Sequence, residues 1–267
     1  MGQQAGTVQQ TKDLTRQIVV GASAVVAVVG SFIGSGAAGG TEIQNASNGA
    51  LAADATLIAP DGPAFSIWIV IYLGLVAYAV WQFLPAQRTA SRHRLLGYPA
   101  AASLLLNAAW ILSIQFDLLW LSIPIIIALL AVLARIFVLL QRHEPLNTLD
   151  AVITDGTMGL YLGWVCVATA ANIAAVLVAS GFAGFGLAAN AWAVLVLAAA
   201  AAIGIALAIY GRGRLAPSTS LCWGLAWVAV ARLGGDLLST PAAITAIVGA
   251  VLVLAVTVAT RTRDVRG

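Results

Sequence analysis

Long apolar stretches alternate with short polar segments along the whole 267-residue chain. The stretch Leu121–Leu140 is apolar around nearly the whole circumference of a helix, whereas a transmembrane β-strand would alternate polar and apolar positions. A helix needs about 20 apolar residues to cross the hydrocarbon core of a membrane. The pattern therefore predicts about eight membrane-spanning helices, at residues 17–38, 64–84, 98–116, 119–141, 157–180, 187–210, 218–237 and 241–260.

The composition supports this prediction. Hydrophobic residues make up 61% of the chain and charged residues only 9%, whereas soluble domains carry about 25% charged residues. So few charges cannot cover a surface that faces water, which argues against a soluble enzyme, a disordered chain and a nucleic-acid-binding protein. The expected fold class is an all-α, polytopic integral membrane helical bundle.

The basic residues fall on one side of this predicted topology. If successive helices alternate in direction, 12 of the 13 Lys and Arg residues share a side and only Arg232 does not. The shared set is Lys12, Arg16, Arg88, Arg92, Arg94, Arg135, Arg142, Arg212, Arg214, Arg261, Arg263 and Arg266. Short loops rich in Lys and Arg stay in the cytoplasm. We therefore expect a plasma (inner) membrane protein with both termini cytoplasmic, and two histidines, His93 and His143, solvated in cytoplasmic loops.

The first predicted helix has a second interpretation. Lys12 and Arg16 precede an apolar stretch followed by the small residues Gly34–Gly40, a pattern that also describes a cleavable signal peptide. The apolar stretch is long for a signal peptide, which favours a retained helix. Gly30 and Gly34 would let another helix approach closely, and small-residue faces of this kind also make a homodimer a reasonable expectation.

Three aromatic motifs follow in order along the chain. The first is Phe65, Trp68 and Tyr72, with the spacing F-x-x-W-x-x-x-Y. The second is N-x-x-W, formed by Asn107 and Trp110. The third is Y-x-x-W-x-x-x-A-x-x-x-N, formed by Tyr161, Trp164, Ala168 and Asn172. Together they resemble the tryptophan-rich sensory protein (translocator protein, TspO/MBR) family over residues 17–180.

The resemblance implies a five-helix membrane bundle at 17–180, with three additional helices at 181–260 between a cytoplasmic segment 1–16 and a basic tail 261–267. It implies a pocket inside the bundle, capped by the loop between the first two helices, for a tetrapyrrole (porphyrin or haem-like) or a sterol-like lipid. No cofactor is obligatory. The motif residues that would contact this small hydrophobic ligand are Trp68, Tyr72, Asn107, Trp110, Tyr161, Trp164, Ala168 and Asn172.

Physical chemistry offers plainer interpretations of some of these residues. Trp and Tyr also gather at membrane interfaces as an anchoring belt, which we favour for Trp81 and Trp120. An unpaired amide in hydrocarbon is costly, so Asn107 and Asn172 should face the bundle, where an interhelical hydrogen bond or a ligand would satisfy each of them.

A charged pair suggests an alternative function. Arg232 lies deep in the seventh predicted helix, and Asp236 is one turn further on the same face, so the two could form an ion pair. Intramembrane charges often mark transport pathways, which makes a small-molecule transporter the alternative to a sensor. No nucleophile–base arrangement and no metal-ligand cluster is visible, so neither an enzyme nor a metal site is expected.

Overall fold

The computed structural model describes residues 2–264, and side chains for residues 8–263. This part of the chain forms eight long helices and no β-strand. The helices are α1 (Gly2–Gly34), α2 (Ile67–Trp81), α3 (Ser91–Gln115), α4 (Leu119–Arg142), α5 (Thr157–Ala179), α6 (Ala189–Tyr210), α7 (Leu215–Gly234) and α8 (Thr240–Asp264). The predicted all-α fold is confirmed.

Short helical turns occupy several of the connections. One-turn helices lie at Ala46–Gly49 and Pro85–Arg88, and 3₁₀ turns at Gly62–Ser66 and Gly184–Gly186. A further turn, Thr148–Asp150, continues through a π-helical turn at Ala151–Gly156 directly into α5. We call residues 35–61, between α1 and the first 3₁₀ turn, the lid.

Seven of the long helices are long and apolar enough to cross a membrane, rather than the predicted eight. The exception is α7, which carries Ser218, Ser220 and Arg232 among its buried residues. These polar side chains lower the hydropathy of α7 but do not face lipid, because α7 packs against α5, α6 and α8. Burial between other helices lets a helix carry polar groups that a lipid-facing surface would not tolerate.

The first five helices close into a ring. Each packs against two others, in the spatial order α1, α3, α4, α5, α2 and back to α1. The remaining three, α6 to α8, contact one another and join the ring mainly where α7 packs on α5. The five ring helices and the other three thus form two groups that meet mainly where α7 packs on α5.

Glycines set how closely α7 approaches α5. A side-chain carbon built at Gly163 would lie 2.0 Å from the Pro217 carbonyl oxygen, and one built at Gly159 would lie 2.9 Å from Ala216 Cβ. On the α7 side, a carbon at Gly224 would lie 2.9 Å from Val167. The two helices therefore pack almost backbone to backbone.

The small-residue pair of α1 is used in the same way. A Cβ atom placed on Gly30 would lie 3.0 Å from Ala108 Cβ, and one placed on Gly34 would lie 2.8 Å from the Ile111 side chain, both on α3. The pair therefore serves a contact within the chain and offers no separate surface for a second copy. A homodimer stays a prediction without support from these two residues.

Helices that follow one another along the chain run in opposite directions, as predicted. Asp13 near the start of α1 accepts hydrogen bonds at 2.7 and 2.6 Å from Arg94 near the start of α3. At the opposite end, Ser239 beside the start of α8 donates to Asn190 at the start of α6. We call the end where α1, α3, α5 and α7 begin the basic end, and the opposite end the lid end.

The segment predicted as residues 1–16 before the first helix is part of α1 from Gly2 onward. Asp13 and Arg16 are buried there, because Asp13 pairs with Arg94 and Arg16 donates to the Arg88 carbonyl. At the other terminus α8 continues through Arg261 and Arg263, while residues 265–267 of the predicted basic tail lie outside the described part of the chain.

A buried charge network connects the helices at the basic end. Arg92 of α3 donates to Asp150 at 2.8 Å and to Asp155, and Arg214 at the start of α7 donates to Asp155 as well. Asp150 also accepts from the Trp81 indole at 3.2 Å. This network joins α2, α3 and α7 to the turns that lead into α5. From the sequence, Arg92 and Arg214 were predicted only as loop charges.

The prediction that His93 is a solvated loop residue is wrong. α3 begins at Ser91, so His93 lies inside a helix and is 0% exposed. Its Nε2 atom lies 3.1 Å from Gln87 Oε1 and 3.5 Å from Asp150 Oδ1. His143 follows α4 and is half-buried.

Candidate functional site

The three aromatic motifs meet inside the five-helix ring. The Trp68 ring is the centre of the cluster, with ring centroids of Tyr72, Tyr161, Trp164 and Trp110 at 5.6, 5.8, 6.3 and 6.5 Å. The Tyr161 and Trp164 rings meet Trp68 edge to face, and the Trp110 ring is stacked on it. Aromatic pairs in these geometries attract beyond the burial of their area.

Helix periodicity explains why the motif residues converge. Residues three or four positions apart share a face of a helix. Trp68 and Tyr72 therefore point together from α2, and Tyr161 and Trp164 from α5, while Trp110 projects from α3 between them. The motif spacing thus encodes one inward-facing aromatic cluster.

Both asparagines face the bundle, as predicted, and each is 1% exposed. The Asn107 amide donates to the Tyr72 hydroxyl at 2.8 Å. Asn172 Oδ1 accepts from the Trp110 indole at 3.2 Å, and its amide donates to the Ser122 hydroxyl of α4 at 2.9 Å. These bonds join α2 to α3, and α5 to both α3 and α4.

An apolar cleft lies between the aromatic cluster and the lid. Its cavity volume is about 30 Å³, and the space between atoms reaches about 480 Å³ when the open mouth is included. We call it the aromatic pocket. It is lined by Ala50, Leu51, Thr56, Ala59 and Pro60 of the lid, by Phe65 and Trp110, and by Trp164, Val167, Ala168, Ala171, Asn172 and Ala175 of α5.

Half of the predicted site residues line this pocket. Those that do are Trp110, Trp164, Ala168 and Asn172. Those that do not are Trp68, Tyr72, Asn107 and Tyr161. Trp68 contacts Trp110 and Trp164 of the first group through its ring. The other three support Trp68 from behind: Tyr72 and Tyr161 contact its ring, and Asn107 is bonded to Tyr72.

The lid contributes pocket residues that were not predicted from the sequence. Thr56, Ala59 and Pro60 form one wall of the pocket, opposite α5. The available signal was the length of the lid and the prolines Pro60 and Pro63 at its end. Nothing in an Ala-rich loop indicates which of its small residues face inward.

Two lining residues carry a buried polar atom with no hydrogen-bond partner in the described part of the chain. They are Trp164, through its indole Nε1, and Thr56, through its hydroxyl. A buried polar group without a partner costs roughly 1–3 kcal/mol. The pocket is therefore apolar but offers two polar groups for pairing.

The predicted ion pair between Arg232 and Asp236 is wrong. Arg232 is 1% exposed and donates to the Thr56 carbonyl at 2.9 Å and to the Ala53 carbonyl, both in the lid. No ion pair joins it to Asp236 within residues 8–263. The two side chains instead line a second cavity of about 240 Å³, with Gln44, Asn45, Ala52, Ala53, Asp54, Asp61, Ala231 and Gly235.

The two tryptophans assigned to an interfacial belt differ. Trp120 is 62% exposed on the outside of the bundle, as a belt residue would be. Trp81 is only 8% exposed and its indole donates to Asp150, so the belt assignment is wrong for it. Trp81 lies at the end of α2, where a belt residue would also lie, but its indole turns into the bundle because Asp150 of the buried charge network accepts its hydrogen bond.

The described residues contain no group of three or more His, Cys, Asp or Glu side chains that could hold a metal ion. Both cysteines, Cys166 and Cys222, are free and buried. The pocket lining itself combines indole and phenyl rings, small apolar residues and a few hydrogen-bonding groups. Such a lining suits the binding of a ligand through its apolar area.

A helical membrane bundle with an aromatic pocket under an ordered loop is the architecture of a membrane-embedded binding or sensor protein. The sequence model of one family, described as "TSPO-like protein", matches residues 18–259. The chain belongs to this family, and the predicted relationship to the TspO/MBR proteins is confirmed. The match includes α6 to α8, beyond the three motifs. No curated protein and no solved structure gives a match.

Proposed function

We propose that this protein is a membrane receptor or sensor that binds a flat, largely apolar ligand, a tetrapyrrole or a sterol-like lipid, in the aromatic pocket. The observation that carries the proposal is the pairing of two indole-bearing walls, Trp110 and Trp164, with small residues such as Ala168 that leave space between them and the lid. Indole faces hold planar apolar molecules well.

The polar groups of the pocket narrow the ligand class. The Trp164 indole can donate and the Thr56 hydroxyl can both donate and accept, and neither has a hydrogen-bond partner among residues 8–263. A ligand with one or two hydrogen-bonding groups at its edge would satisfy them. This favours a porphyrin with its carboxylates, or a hydroxylated sterol, over a plain hydrocarbon.

The test is a porphyrin titration of the detergent-purified protein, followed by the absorbance of protoporphyrin IX and by tryptophan fluorescence. We expect saturable binding that is lost in the variant Trp110→Ala with Trp164→Ala. The matched control is Trp120→Ala, because Trp120 lies on the outside of the bundle. Absence of saturable binding, or equal binding by both variants, would contradict the proposal.

Transport is the alternative function. It was suggested by the Arg232–Asp236 pair, which does not form, but both residues line the second, polar cavity beside the lid. A transporter would move its substrate into liposomes at a rate that depends on Arg232. Binding without flux favours the sensor. Catalysis is the least supported class, since the pocket lining has no acid–base pair.

We also propose that the basic end faces the cytoplasm and that the lid end faces outward, in a plasma (inner) membrane. The support is the distribution of Lys and Arg. Single cysteines at exposed positions test it in a Cys166→Ala, Cys222→Ala background: Ala188→Cys at the lid end and Thr89→Cys at the basic end. An impermeant maleimide should label only Ala188→Cys in intact cells. Labelling of Thr89→Cys alone would show that the protein has the opposite orientation.

A further inference from the structure

The strongest unexplained feature is the fully buried guanidinium of Arg232 near the lid end of α7. A buried charge is costly unless hydrogen bonds compensate it. Arg232 obtains its two bonds from backbone carbonyls of the lid, Thr56 at 2.9 Å and Ala53, rather than from its own helix or from a carboxylate. The side chain is therefore committed to holding a loop in place.

Two further contacts join α7 to the same stretch of chain. The Trp223 indole donates to the Ala64 carbonyl at 2.9 Å, just beyond the lid in the first 3₁₀ turn. The Asp61 backbone N–H donates to the Trp227 carbonyl at 3.2 Å. Two positions of α7, Arg232 and Trp227, thus hold the lid between residue 53 and its end, and a third, Trp223, holds the turn that follows it.

The residues fixed in this way form the wall of the aromatic pocket. Thr56 is bonded to Arg232 through its carbonyl and lines the pocket, and Ala59 and Pro60 follow directly. Between α1 and residue 53, the lid is held to α3 by the bond from the Ser47 hydroxyl to the Ile114 carbonyl. Loops with few such bonds open at low free-energy cost.

The second cavity lets the lid open without leaving the Arg232 guanidinium buried and unpaired. It is lined by Arg232 together with three carboxylates, Asp54, Asp61 and Asp236. If the lid carbonyls move away, water and these carboxylates can take their place around the guanidinium. Arg232 would then have two arrangements, bonded to the closed lid or solvated beside an open one.

We propose that Arg232 is a positioning residue that keeps the lid closed over the aromatic pocket, so that α7 sets how often the pocket opens. The identity of the ligand under the lid rests on the proposed function, but the closure of the lid by Arg232 does not. It assigns to the three additional helices the control of access to a pocket built by the first five.

The experiment measures lid opening without any ligand. Ala59→Cys, buried on the inner side of the lid, reports opening through its rate of maleimide labelling in a Cys166→Ala, Cys222→Ala background. Arg232→Met keeps the apolar stem and removes both charged hydrogen bonds, so we expect labelling at least about tenfold faster. Arg135→Met, the same change at an exposed site on α4, should leave the rate unchanged. Equal rates in the two variants would overturn the proposal.

A milder variant covers the case in which Arg232→Met does not fold. Trp223→Phe keeps the ring but loses the bond to Ala64, and it should raise the labelling rate by a few fold. An unchanged rate in folded Trp223→Phe would then overturn the proposal. Protoporphyrin IX separates the two proposals. If Arg232→Met is labelled faster and added porphyrin does not slow the labelling, the result supports the role of Arg232 in closing the lid and contradicts porphyrin binding in the aromatic pocket.

Discussion

Trp110 of α3 donates its indole N–H to the side-chain oxygen of Asn172 on α5, 3.2 Å away, and both residues line the aromatic pocket. The bond fixes the orientation of an indole that forms the pocket wall. It also satisfies a buried amide that hydrocarbon could not. Pocket shape and bundle stability therefore depend on the same pair.

This pair predicts a measurable coupling. Trp110→Phe and Asn172→Ala should each destabilise the protein, and the double variant by less than the sum, with a coupling of about 0.5–1.5 kcal/mol. Thermal unfolding in detergent, with all four proteins compared, gives the coupling. Strictly additive effects would mean that the bond contributes nothing.

Filling the pocket should abolish binding while the fold survives. Ala168 borders open space, so Ala168→Phe is expected to lower porphyrin affinity by at least about tenfold with little change in the unfolding temperature. Ala134→Phe makes the same change at an exposed position on α4 and is the control. Undiminished affinity in folded Ala168→Phe would place the ligand elsewhere.

The close approach of α5 and α7 should make Gly163 intolerant of a side chain. An alanine methyl there would lie 2.0 Å from the Pro217 carbonyl oxygen, and overpacking of this kind costs roughly 1–3 kcal/mol. Gly234→Ala is the comparison, because a carbon there meets nothing within 4 Å. We expect a lower unfolding temperature for Gly163→Ala only. Equal stability would show that α7 can move away from α5 freely.

The charge network at the basic end should respond strongly to the loss of one carboxylate. Asp150→Asn leaves Arg92 buried with half of its ion pairs, and removing a partner from a buried pair costs about 3–5 kcal/mol. Glu144→Gln alters an exposed carboxylate at the same end and should have no effect. Unfolding by heat or by SDS measures the difference. Similar curves for both variants would show that the network is not stabilising.

Much of the fold followed from the sequence because the signals were local. Eight apolar stretches gave eight helices, and motif spacing placed Trp68, Trp110 and Trp164 in one cluster. The helix starts were less accurate: α3 begins at Ser91 rather than 98, since polar residues such as Arg92 and Arg94 find partners on other helices and continue the helix.

The interactions that were missed have partners that a sequence does not display. Arg232 binds backbone carbonyls, which every residue possesses, so nothing marked Thr56 and Ala53 as its acceptors. The nearby Asp236 suggested a more obvious partner. Trp81 was misassigned for a similar reason, because its acceptor, Asp150, lies 69 positions away along the chain.

The π-helical turn at Ala151–Gly156 determines which way two carboxylates point. Asp150 and Asp155 are five positions apart, a separation that in a regular α-helix would turn them roughly 140° away from each other. A π turn spans five residues per hydrogen bond, which brings both carboxylates round to Arg92 and leaves Asp155 within reach of Arg214. The extra residue in this turn thus lets one carboxylate, that of Asp155, link a helix of the five-membered ring to the start of α7.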